Sequence, residues 1–258
     1  MENKKYNLYT GKEIILQALN NEGTLAKCYQ TFTSYSILNT VALMAQLSAR
    51  KMEILPVASF KKWSELGGKV KKGSKALLVN IPKIYKEKYL NEQTNEEETR
   101  QVLAGYFWRA CVFSLGQVEG INASALPENL KNWNYKKALE NLKIPCIPFN
   151  EINGNVQGYA TPEGIALNPV AEHSTRTLCH EIAHYILHFK DKAKDMAREI
   201  KEAEAEMVSY LVGAFLGIAG DADSRGYIQH WLGQNEFTDK NCLRVIATAN
   251  KILKAGEC

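Results

Sequence analysis

Apolar residues recur at helical spacing along parts of the chain and alternate along others. Ile14, Ile15, Leu16 and Leu19 predict a helix over 11–21, and the apolar run behind Ser34 predicts a second over 34–48. Phe60 to Leu66 reads as a short helix closed by Gly67 and Gly68. Ala76 to Pro82 reads as a strand that ends at the proline, and Gln101 to Leu115 as a long, aromatic-rich strand. Between them, Lys86 to Arg100 is polar and reads as a mobile hairpin tip. Together these predict an α+β domain ending near residue 120, with Asn122 to Asn132 as a linker or short helix. Beyond it, Tyr135 to Leu142 is helical, and 155–168 is a hairpin turning on Thr161-Pro162-Glu163-Gly164. Leu178, Ile182, Tyr185 and Phe189 lie at i, i+4, i+7 and i+11, the buried stripe of a helix from Thr175 to Phe189, with Ser174 or Thr175 as its cap. Met207 to Ile218 is apolar nearly all round, so this helix is expected to be buried.

The Thr175–Phe189 helix carries the chemistry. His180-Glu181-Ile182-Ala183-His184 reads H-E-x-x-H. One turn apart on a helix, the two imidazoles can grip one metal ion, and Glu181 then stands beside the open coordination position as general base. Catalytic zinc takes a third protein ligand. Acidic residues Glu202, Glu204 and Glu206 lead into the buried helix, where they need a cationic partner. Glu202 and Glu206 share a face one turn apart, which makes Glu202 the expected third ligand. Glu206 is then the carboxylate that holds a ligand histidine. Glu204 points elsewhere and reads as part of a solvated first turn favoured by the helix dipole. His188 extends the histidine series, but it lies about 12 Å along the axis from His180, so it reads as structural or as a lid. His173 and His230 read as ordinary surface or capping residues. Tyr159 and Tyr210 are noted as candidate oxyanion donors. The hairpin strand Gly164 to Leu167 is noted as a candidate sheet edge along which a peptide could add.

Composition narrows the setting. The 258 residues suffice for one large domain or two smaller ones. There is no apolar run long enough to span a membrane and no apolar signal core at the N-terminus, which predicts a cytoplasmic protein. The six cysteines are scattered without a C-x-x-C pair and read as free thiols; Cys179 points about 100° away from its neighbour His180 and reads as packing. Net charge is +4 and uneven, with residues 61–88 holding nine lysines against Glu65 and Glu87. Lys69, Lys71, Lys72 and Lys75 alternate with glycines, which lets backbone amides approach phosphates, while Tyr35, Trp63, Tyr106 and Phe113 could stack bases. For Phe113, core packing is the stronger reading. A basic chain of this kind is not an acidic DNA mimic.

Three groups of residues, in this order, resemble the ArdC-like antirestriction family of plasmids and other mobile elements. The first is Tyr35-Ser36-Ile37-Leu38-Asn39 followed by Gln46; the second is Phe60-Lys61-Lys62-Trp63 with Leu66 to Ala76, continued by Val112-Phe113-Ser114 and Gln117. The third is the H-E-x-x-H run followed by Glu202-Ala203-Glu204-Ala205-Glu206 and Leu216-Gly217-Ile218. Gly23 to Tyr29 departs from the family's tryptophan-rich entrance, and residues 86–100 and the last forty match nothing in it. The resemblance implies an α+β fold in which residues 1–125 form a single-strand DNA-binding domain and 126–258 a zincin-like, gluzincin-type metallopeptidase domain. It implies one Zn2+ per chain on His180, His184 and Glu202, an unidentified protein substrate, and DNA contacts from Lys69, Lys71, Lys72, Lys75, Tyr35 and Trp63. The competing reading is a non-catalytic protein that coats single-stranded DNA, with zinc in a structural role.

Overall fold

Thr10 opens the first helix with a reciprocal cap: its side chain accepts from the Glu13 amide while Glu13 reaches back to the Thr10 amide. The computed structural model describes residues 10–32, 35–91, 96–121, 132–151, 156–170, 174–190, 196–218 and 222–258. By contact these fall into two compact units: the described residues of Gln46–Ala125, and those of Tyr9–Ala45 together with Leu126–Cys258. The described residues of Tyr9–Ala45 thus group with the C-terminal unit rather than with the sheet-containing one. The linker expected at 122–132 and the cap Ser34 lie outside the described residues, apart from Asn132; the third helix starts at Ile37, with the Ser36 hydroxyl accepting from the Asn39 amide.

The first unit is built on a three-stranded antiparallel sheet in the order β1-β4-β3, from Val57–Ser59, Glu96–Ser114 and Leu77–Asn91. Helix α4 (Phe60–Glu65) follows β1, and its Trp63 is 1% exposed with its indole N–H on the Phe113 carbonyl at 2.9 Å. The short pair β2 (Lys69–Val70) and β5 (Val118–Glu119) completes the unit. The strand predicted to stop at Pro82 runs on to Asn91. Pro82 is tolerated because β3 is an edge strand, where a missing amide need not break a ladder, and a register shift follows between Lys83 and Ile84. The tip of this long β3–β4 hairpin lies outside the described residues.

The second unit is mainly helical. Its helices are α1 (Gly11–Asn20), α2 (Glu22–Thr31), α3 (Ile37–Ala49, which ends in the first unit), α5 (Tyr135–Leu142), α6 (Ser174–His184), α7 (Arg198–Leu216), α8 (Ala222–Gly233) and α9 (Asp239–Gly256). Helices α2, α8 and α9 have no counterpart among the elements expected from sequence. The predicted hairpin forms as β6 (Gly158–Thr161) and β7 (Gly164–Leu167). Helix α7 is buried along most of its length, and α6 and α9 pack against it. The stripe predicted on α6 breaks after Ile182. A π-helical segment, Tyr185–Lys190, follows His184, and its wider turn shifts the buried face to Ile186, Leu187 and His188. Phe189 is 40% exposed as a result.

Candidate metal centre

Helix α6 sets His180 and His184 one turn apart, with their Nε2 atoms 3.0 Å from each other. Helix α7 brings Glu202 Oε2 to 3.4 Å from His180 Nε2 and 3.3 Å from His184 Nε2. Donors bound tetrahedrally at zinc distances stand about 3.3 Å apart. The three atoms therefore fit one divalent cation without rearrangement, and among the described residues they form the one cluster of this kind.

Each of these two histidines is held from behind. His180 Nδ1 is 3.4 Å from Glu206 Oε2, and Glu206 Oε1 is 3.1 Å from an Arg176 guanidinium nitrogen. His184 Nδ1 is 3.0 Å from His188 Nδ1, and His188 Nε2 is 3.1 Å from Glu204 Oε2. The other Glu204 oxygen accepts from Asn241 Nδ2 at 2.9 Å and Arg244 Nη1 at 3.2 Å. With each ligand Nε2 turned to an ion, each ligand Nδ1 carries its proton. His180 then donates to Glu206. His184 donates to His188 Nδ1, which leaves His188 to donate from Nε2 to Glu204. One set of tautomers satisfies the whole chain.

Glu204 is not solvated, as its sequence suggested, but fully buried. Its charge is tolerated because Asn241 and Arg244 reach it from α9, far along the chain. His188 is likewise a buried member of this network rather than a lid.

Burial works against a charge on His180, but the hydrogen bonds it donates to Glu202 and Glu206 outweigh this and lift its pKa to about 9. Hydrogen bonds donated by His180 and His184 hold Glu202 well below the usual carboxylate range. Burial raises Glu181, against the lowering effect of the two histidines. Glu181 is thus a protected carboxylate with a raised proton affinity. Cys179 is buried in packing, its thiol pushed up to about 12. On α8, burial pushes up the Tyr227 hydroxyl against a lowering hydrogen bond with Trp231, and the charges of Glu202, Glu206 and Glu199 act in the same direction as burial. Tyr210 is buried in α7, and the Tyr159 hydroxyl donates to the Pro148 carbonyl at 3.1 Å.

Strand β6 lies directly on this helix. A Cβ added at Gly158 would stand 3.2 Å from Glu181 Cγ and 3.0 Å from both Thr177 Cγ2 and the Ala166 carbonyl oxygen, so a side chain there would press on all three. The edge noted at Gly164 to Leu167 is not the one at the cleft. The outer side of β7 is taken by Pro145 and Ile147, which bond to the Ile165 backbone. Strand β6 instead borders the site. Cavities of about 470 Å³ and 450 Å³ lie on either side of His180 and Glu181, and Gly158 lines both.

In the first unit, Lys69, Lys71, Lys72 and Lys75 are all exposed around the turn at Gly73, with Lys71 Nζ donating to the Gly116 carbonyl at 3.0 Å. Trp63 does not join them as a stacking face, because it is closed into the core. Tyr35 belongs to the other unit and lines a cavity there with Tyr29 and Phe215. Phe113 is half-buried, while Tyr106 is 65% exposed, opposite Pro82 and close to the exposed pair Ile84 and Leu103.

Residues 16–113 match the N-terminal domain of anti-restriction factor ArdC. No curated protein matches the chain. Two crystal structures of the antirestriction ArdC protein from plasmid R388 are similar to it, each with a TM-score of 0.51. The metal-free one is 19% identical and covers 95% of each chain; the Mn(II)-bound one is 17% identical and covers 95% of this chain and 96% of the other. At such identity the likeness is one of fold. No described helix is long and apolar enough to cross a membrane.

Proposed function

We propose that this chain, which belongs to the ArdC-like family through residues 16–113 and its fold, is an antirestriction protein that binds single-stranded DNA and carries a zinc-dependent peptidase site. The observation that carries the peptidase reading is the convergence of His180, His184 and Glu202 on one point, with Glu181 buried beside them. Two imidazoles and one carboxylate are a common catalytic zinc set. When bound there, the ion supplies Lewis acidity and acidifies water. Glu202 is committed to the histidines. Glu181 is not, and its raised proton affinity suits it to take a proton from the attacking water and pass it to the leaving amine. Strand β6 offers an extended peptide a backbone to pair with at the lip of the cavity. Exposed Lys69, Lys71, Lys72 and Lys75 supply charge for phosphates, and Tyr106 a face for a base.

The test is Glu181→Gln. The variant keeps the ligand set, so zinc content and DNA binding should be unchanged, while hydrolysis of a peptide substrate falls to background. If cells carrying Glu181→Gln show the same antirestriction effect as wild type, hydrolysis is not the route of action, and coating of the strand takes its place.

A further inference from the structure

The cavity that holds Glu202 also holds two cations with no side-chain partner among the described residues. Arg198 is the first residue of α7 and Lys201 lies in its opening turn; both line the cavity of about 470 Å³ beside Glu202 and Phe189. Arg198 stands one turn before Glu202, on the same helix face. Among the described residues, neither cation makes an ion pair or a side-chain hydrogen bond. The helix dipole disfavours positive charge at a helix N-terminus, so their placement does not serve the helix.

The cavity on the other side of His180 differs. Its cation, Arg176, is matched by Glu206 at 3.1 Å. On the Arg198 side, Glu202 is taken by the two histidines at 3.4 and 3.3 Å, and a divalent ion would offset the charges of Glu202 and Glu181. Arg198 and Lys201 then line the same cavity as His180, His184 and Glu202 with no acidic partner among the described residues.

We propose that Arg198 and Lys201 form a subsite for an acidic side chain, so that the peptide taken by this cleft carries Asp or Glu beside the bond held at the triad. The proposal rests on the peptidase reading of the site. A DNA phosphate would meet the same cations. It would gain nothing, however, from the strand edge of β6 or the apolar wall of Phe189.

The test uses the full zinc-loaded chain and three hydroxamate-capped peptides that differ only in bearing Glu, Gln or Lys next to the cap. The Glu form should bind about tenfold more tightly than the Gln form, and the Lys form most weakly. Arg198→Glu with Lys201→Glu should reverse that order at unchanged zinc content. The single neutral variants Arg198→Gln and Lys201→Gln should each narrow it. A flat ranking, no binding of any of the three, or the same ranking after charge reversal would overturn the subsite. So would a charge reversal that weakens only oligothymidylate binding, since the cations would then serve DNA. Hydrolysis of matching amide peptides, followed in parallel, reports on the peptidase reading separately: ranked binding without cleavage removes the peptidase and leaves the subsite.

Discussion

His184 depends on residues far away in sequence. Its Nδ1 proton meets His188, His188 meets Glu204, and Glu204 is fixed by Asn241 and Arg244. Glu204→Ala leaves Arg244 and His188 facing an empty polar hole. Breaking a buried pair in this way costs about 3–5 kcal/mol, which chemical denaturation would read as a lower midpoint with an unchanged slope. Zinc affinity should fall with it, by about 10–100-fold, the usual effect of losing a group that orients a ligand. A variant with normal stability and normal zinc affinity would show that the chain of hydrogen bonds carries nothing. The convergence of His180, His184 and Glu202 was legible in sequence because both of its spacings are local: four residues on α6, and a shared face on α7. The burial of Glu204 was not, because its partners come from α9, 37 and 40 residues further on, and no local pattern signals a contact at that range.

Among the elements, the helix spacing was read correctly as far as His184. Beyond it, the shift to a π-helical segment changes the number of residues per turn, so a period of 3.6 misplaces Tyr185 and Phe189. Strand β3 shows the same limit in another form: proline ends a central strand but not an edge strand, and edge position is a property of the sheet, not of the segment. The close seating of β6 on α6 gives a prediction at this scale. Gly158→Val places atoms against Thr177, the Ala166 carbonyl and Glu181. Overpacking of this kind costs about 1–3 kcal/mol. Peptide turnover should drop well beyond that seen for Ala166→Gly, while zinc content stays near wild type. Turnover equal to wild type would mean that the position of β6 does not matter to the cleft.

For the whole molecule, the sequence indicated two halves but not that the described residues of Tyr9–Ala45 pack with the C-terminal one. Those helices have ordinary amphipathic patterns, and amphipathicity names a buried face without naming what covers it. DNA binding is therefore tested on the full chain. Replacing Lys71, Lys72 and Lys75 together by Gln should lower affinity for oligothymidylate. Each lost phosphate contact also removes about 0.7 from the slope of log affinity against log salt, so a flatter slope by about 2 is expected. An unchanged slope would move the phosphate contacts elsewhere on the chain.

The account turns on one metal held by three named side chains, with Glu181 beside it but not bound to it. The direct measurement is a competitive zinc titration of wild type, His184→Ala, Glu202→Ala and Glu181→Gln. The predicted result is about one zinc per chain for wild type and for Glu181→Gln at closely similar affinity, and strongly weakened binding in the other two. Zinc bound equally well by all four proteins, or lost on changing Glu181 alone, would contradict it.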